Sequence, residues 1–241
     1  MIKSLKDIGM ATLSEKKFKS SPIAWEDQVL YFLMLDRFSD NNEASFAENG
    51  TTPLFTTTDN GNAITTEEEA NDWSTAGIDW AGGNLKGLMN KIEYLNDLGI
   101  TTIWISPIFK QVSFENSYHG YGIQNYLEVD PHFGTSDDLK ELVTKAHSEG
   151  IYVILDIILN HSGNVFSYKE NDSGLRWNGS KYPVEGFNDS SGHPSFAFNS
   201  GIPAQDDDVI WPIEFQDPDS FTQKGEISNW DFSLNIWKAT F

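Results

Sequence analysis

Ile151-Tyr152-Val153-Ile154-Leu155-Asp156-Ile157-Ile158-Leu159-Asn160-His161 is the stretch on which the fold turns. It is a continuous apolar run broken once, by Asp156, and its lack of alternation predicts a strand buried on both faces. Working back from it, Leu139, Leu142, Val143 and Ala146 mark one face of a helix that ends at Gly150. Thr135 or Ser136 can cap that helix, with Asp138 near its third position. Further back, Ile100 to Ile105 is β-branched and aromatic and stops at Ser106-Pro107, as a second strand would. It follows Gly99, the stop signal of a helix whose apolar face is Leu85, Leu88, Met89, Ile92, Leu95 and Leu98. Another apolar run, Gln28 to Leu35, closes on Asp36-Arg37-Phe38 and predicts the first strand. Strand, helix, strand, helix, strand with glycine links predicts parallel βα units, in a barrel or a doubly wound sheet.

The rest of the chain lacks this rhythm. Asp40 to Asp72 is polar and aperiodic, which predicts a long surface loop. Beyond His161 the residues are Gly, Ser, Asn, Asp and aromatics, with no second amphipathic helix before Phe241. Three βα units cannot close a barrel, so a sheet of three strands alone would keep two open edges and a half-covered core.

Composition narrows the partners. The 241 residues carry a net charge of -20, so nucleic acid and anionic membrane surfaces are repelled. A neutral polysaccharide needs no such steering, and 8 Trp, 8 Tyr and 16 Phe provide flat faces for sugar rings as well as ordinary core. The absence of cysteine removes disulfides, thiol nucleophiles and thiolate metal sites. Lysines at 3, 6, 16, 17 and 19 without a long apolar run predict a soluble product, cytoplasmic by default, with no membrane segment.

Barrel enzymes place working residues at the C-terminal ends of strands. The candidates there are Asp36 and Arg37, the segment Ser117 to Tyr126, and Asp156, Asn160 and His161. Asp156 on an apolar strand needs a partner, because a lone buried carboxylate is costly. An ion pair with Arg37 and a catalytic role are both open readings.

Four segments together carry a resemblance. Leu155 to His161 is similar to the third-strand segment of the alpha-amylase family of glycoside hydrolases, with Asn just before His. Tyr118-His119-Gly120-Tyr121, followed by Asp130-Pro131-His132-Phe133-Gly134-Thr135 and Asp138-Leu139, resembles that family's stretch between its second and third strands. Asp36-Arg37-Phe38 and Gly99 to Pro107 look like its first and second strand ends.

The resemblance implies a partial TIM (β/α)8 barrel, an α/β fold of the first three βα units, with a loop-rich domain inserted after the third strand. It would divide the chain into an N-terminal extension at 1–27, barrel at 28–162 and a truncated excursion at 163–241. It implies a retaining hydrolase of α-linked oligo- or polysaccharides such as starch. Tyr121 would stack on the sugar ring in the cleavage subsite, His161 would bind its hydroxymethyl oxygen, and His119 would assist, while Asp36, Arg37 and Asp156 would support the site. Asn160 is a calcium ligand in many relatives, and its carboxamide oxygen suits that hard cation. Asp40, Asn41, Asn42 and Glu43 read either as a second calcium loop or as a solvated acidic loop. One departure stands at Asn125, where relatives usually carry Asp.

The carboxylates of catalysis are missing from this pattern. A retaining glycosidase needs two carboxyl groups about 5 to 5.5 Å apart, and the family's fourth-strand Gly-x-Arg-x-Asp occurs here only as Gly174-Leu175-Arg176-Trp177-Asn178. Asn178 stands in the nucleophile's place, within a polar stretch unlike a buried strand. Asp206, Asp207, Asp208 and Glu214 read as solvated loop charges, and Ile227 to Asn235 is a loose match to the end of the family's excursion. The expectation is therefore an N-terminal fragment that is inactive alone. A non-catalytic glucan-binding or regulatory product, and an inactive truncated product, remain as alternatives.

Overall fold

The computed structural model of the chain describes residues 2–9, 13–40, 80–169, 179–197 and 206–225. A parallel sheet is built in the order β1 (Leu30–Leu33), β2 (Thr102–Ile105), β5 (Tyr152–Leu155). Between β1 and β2 come α1 (Leu85–Asn90) and α2 (Ile92–Asp97). Between β2 and β5 come an antiparallel hairpin, β3 (Phe109–Gln111) with β4 (Ile123–Val129), and then α3 (Ser136–Ser148).

The helix ends follow from their residues. Thr135 and Asp138 form a reciprocal cap, the side chain of each accepting the other's backbone N–H. At the far ends Gly99 (φ 86°) and Gly150 (φ 80°) turn left-handed, and the next amides reach back, Ile100 to Leu95 O and Ile151 to Ala146 O. Such closures satisfy the last helical carbonyls and deliver the chain directly into a strand.

The strands and the first helix differ from the sequence reading. The expected strand Gln28 to Leu35 is Leu30–Leu33, because Leu35–Arg37 winds into a 3-10 turn. The third strand ends at Leu155 rather than Leu159, and Ile157 and Leu159 are exposed. The helix predicted from Leu85 to Leu98 is interrupted at Lys91, and Leu98 lies outside its buried face. Leu85, Leu88, Ile92 and Leu95 keep the 3.6-residue spacing across the break, and all are fully buried.

Those side chains, with Ile103, Ile105, Phe133, Leu142 and Ile151, form the main core between the helices and one face of the parallel sheet. The other face is not buried as the apolar runs predicted: Leu30 and Phe32 are 50% and 48% exposed, and Phe32 meets Trp104 edge to face at 5.2 Å. Among the described residues the helices cover a single face.

Two sheets were absent from the sequence reading: the β3–β4 hairpin and an antiparallel sheet of β6 (Phe166–Tyr168), β7 (Val184–Asn188) and β8 (Pro194–Ala197). All but β4 are three to five residues long, β4 does not alternate between buried and exposed positions, and the registers shift at several points, so no period-2 pattern is sustained. A second core joins them, with Val112, Val165, Phe166, Phe187, Val209, Ile210 and Trp211.

The acidic residues after 205 are not merely solvated. Lys3 pairs with Asp206 at 2.7 Å and lies over the Trp211 ring, Lys110 pairs with Asp207, and Glu214 accepts from Ser4 Oγ and the Leu5 amide. Most of the loop predicted from Asp40, the acidic cluster after it, Gly174 to Asn178 and Ile227 to Asn235 lie outside the described residues. No helix among the described residues is long and apolar enough to cross a membrane.

Candidate functional site

The site forms where the segments after β2 and β5 meet. Tyr121 is held between two glycines, of which the first cannot easily be replaced. Gly120 has φ 86°, and a Cβ there would lie 1.9 Å from the Pro107 carbonyl oxygen. Gly122 donates its amide to the buried Gln111 side chain at 2.7 Å. The backbone is thereby pressed against the loop after β2, and the Tyr121 side chain is half-buried.

Tyr121, His119, His161 and Asp156 come together through a connected set of bonds. The Tyr121 hydroxyl donates to Asp156 Oδ2 at 3.3 Å. Its amide donates to His119 Nδ1 at 3.0 Å, so that nitrogen is an acceptor and the proton of a neutral ring sits on Nε2. Its carbonyl lies 3.1 Å from His161 Nε2, and since a carbonyl only accepts, Nε2 is protonated there. The His119 and Tyr121 rings stack with centroids 5.6 Å apart. His161 is also anchored through its own carbonyl, which accepts the Tyr126 hydroxyl at 2.7 Å.

Electrostatics follow burial. His119 is shifted below its ordinary imidazole value by desolvation first and by the neighbouring His161 second. His161 is lowered by desolvation, partly offset by its bond to the Tyr121 carbonyl. The Tyr121 hydroxyl is raised by burial and then by the adjacent Asp156 charge. Both imidazoles are thus kept neutral near pH 7, able to exchange hydrogen bonds with an uncharged ligand.

A second arrangement supports this one from β1. Asp36 is buried, and its carboxylate accepts the amides of Ala81 (2.9 Å) and Gly82 (3.0 Å) and meets Arg37 Nε at 3.0 Å. A buried carboxylate so surrounded has its desolvation cost offset. The Arg37 guanidinium lies 4.1 Å over the Tyr118 ring, which packs edge-on against His119. The ion pair considered between Arg37 and Asp156 therefore has a competitor on each side: Asp36 for the arginine and Tyr121 for the carboxylate. Asn125 is buried, and its Oδ1 accepts the Leu127 amide at 2.9 Å. A neutral carboxamide suits such a buried place better than a charge.

A cavity of about 120 Å³ opens beside Tyr121, His119 and His161. Its other side is made by Phe166 and Tyr168 of β6 and by the turn Phe221 to Gly225. Nothing in the sequence reading pointed to this turn. The available signal was Gly225 beside two polar residues, which is too common to mark a site.

Asn160 is exposed on the cavity rim. Calcium takes six to eight oxygen ligands, and no group of three His, Asp or Glu side chains suited to a metal ion exists among the described residues.

Comparison with known proteins bears on the whole segment. A family model described as the alpha amylase catalytic domain matches residues 32–186. Alpha-amylase 2 of Dictyoglomus thermophilum is 39% identical over 150 residues, which cover 62% of this chain and 20% of that protein. An alpha-amylase of Streptomyces lividans is 46% identical over 98 residues, covering 38% of this chain and 11% of that protein. The crystal structure of an Anoxybacillus alpha-amylase is 30% identical with a TM-score of 0.46, and the match covers 65% of this chain and 31% of that one. The matched part is thus a minor portion of each relative.

Proposed function

The chain belongs to the alpha-amylase family, and from that premise we propose that it contributes the sugar-positioning part of a glycoside hydrolase acting on α-linked glucans. Residues 28–162 would supply the first three βα units of a (β/α)8 barrel and 163–241 an excursion inserted after the third strand, behind an N-terminal extension at 1–27. The exposed face of Leu30, Phe32 and Trp104 supports this reading, since an inner barrel face is filled by side chains of further strands.

The observation that carries the proposal is the convergence of Tyr121, His119 and His161 on one cavity, with Asp156 accepting the Tyr121 hydroxyl. Tyr121 offers a ring face held by its hydroxyl bond to Asp156, and the neutral histidines offer donors and acceptors for sugar hydroxyls. Such residues bind and orient; they do not break a glycosidic bond. Cleavage by a retaining mechanism needs two carboxyl groups about 5 to 5.5 Å apart with opposed protonation. We place that pair outside these 241 residues.

Affinity electrophoresis of the purified chain in gels containing soluble starch tests the binding claim. Retarded migration that Tyr121→Ala restores is expected, and mobility indifferent to starch would overturn it. A reducing-sugar assay tests the second claim: release of sugar by the chain alone would show that the cleaving groups lie within it. Binding without release also fits a glucan-binding product of this length.

A further inference from the structure

The turn Phe221 to Gly225 is built more firmly than a surface loop requires. Gln223 has φ 54°, a left-handed conformation that a side chain other than glycine adopts only under constraint. Three bonds impose it: its carbonyl accepts the Tyr182 amide at 2.9 Å, and its Nε2 donates to Pro218 O at 2.9 Å and reaches Asp219 Oδ1 at 3.5 Å. Gly225 is also left-handed, φ 97°, and packs so closely on Tyr182 that an added Cβ would meet the ring at 3.2 Å. Lys224 is therefore held between two left-handed residues, on the cavity that Tyr121 and His161 line from the other side.

Strain held by so many contacts serves to place something, and the groups placed here are an ammonium and an amide in a chain of net charge -20. An ammonium carries donors, and the Gln223 amide, whose nitrogen is engaged by Pro218 and Asp219, keeps its carbonyl oxygen as an acceptor, a pairing that matches sugar hydroxyls. Phe221 adds an apolar surface, packed edge-on against Phe166 at 4.9 Å. Nothing in the family resemblance assigned a role to these residues.

We propose that Gln223 and Lys224 form a specificity wall. They contact the glucose unit next to the one lying on Tyr121, so that the turn discriminates glucans by length. The inference rests on the reading of Tyr121 given above.

Calorimetric titration of the 241-residue chain with glucose and with maltoheptaose separates the two contacts. Lys224→Met is expected to weaken maltoheptaose about two- to tenfold, the worth of one hydrogen bond, while leaving glucose, which reaches only Tyr121, unchanged. Gln223→Gly keeps the left-handed turn but removes the tie to Pro218, and is expected to narrow the preference for the longer sugar. Tyr121→Ala is expected to weaken both ligands. If both wall variants bind the two sugars as the parent does while Tyr121→Ala loses them, the wall is overturned and the site stands. If Tyr121→Ala changes nothing, or the parent binds neither sugar, the proposed function falls and the wall with it. Near-UV circular dichroism of each variant excludes unfolding as the cause.

Discussion

Replacing Gly120 by alanine should damage this protein far more than the same change two residues later. Gly120 sits at φ 86°, and its Cβ would lie 1.9 Å from the Pro107 carbonyl oxygen and 2.7 Å from the carbonyl carbon. A left-handed backbone costs an L-residue about 1–2 kcal/mol. Forcing a methyl against a backbone carbonyl adds about 1–3 kcal/mol, because main chain cannot rotate aside as a side-chain tip can. The sum for Gly120→Ala is about 2–5 kcal/mol. At Gly122 the nearest atom to a new Cβ is the Ser117 hydroxyl oxygen at 2.3 Å, with the next carbon at 3.1 Å. That hydroxyl can move to a poorer rotamer, and Gly122→Ala should cost about 1 kcal/mol. Urea unfolding of the chain and both variants, followed by tryptophan fluorescence, gives the two differences directly. A Gly120→Ala protein within about 0.5 kcal/mol of the parent, or one more stable than Gly122→Ala, would refute the argument that Pro107 and Gly120 together place Tyr121.

Other outcomes follow from the same contacts. His119 and His161 bind protons less readily folded than at the ordinary value of 6.5, so the unfolded chain takes up more protons as pH falls. Their contribution to stability is whole above pH 6.5 and is lost progressively below it; a His119→Gln/His161→Gln protein should lose less thermal midpoint than the parent between pH 7.5 and 5.5, and equal losses would refute this. Thr135→Ala removes the acceptor for the Asp138 amide and should cost about 1 kcal/mol in the same urea experiment. Glu214→Gln weakens the attachment of Ser4 and Leu5, and limited proteolysis should then cut within residues 2–9 faster than in the parent.

Local order was legible because it depends on neighbours in the chain. The cap of Thr135 with Asp138, the glycine stops at 99 and 150, and the buried spacing of Leu85, Leu88, Ile92 and Leu95 are set by side-chain chemistry within a few residues. The motif around Tyr121 and the Asn160-His161 pair were visible as short runs that resemble the family.

What tertiary structure alone decided lies in contacts between distant residues. Periodicity could not show that Leu30 and Phe32 would stay half-exposed, since a run such as Leu-Tyr-Phe-Leu reads the same whether one face or both are covered. Nor could it show that Asp36 would bind amides 45 residues away, or that Glu214 would hold the N-terminal segment. The β6–β8 sheet escaped because its strands are three to five residues long and draw their stability from the Phe166, Phe187 and Trp211 core. The Gln223 turn escaped because its conformation is imposed by Tyr182 and Pro218, and no local rule places a strained residue that only its surroundings can hold.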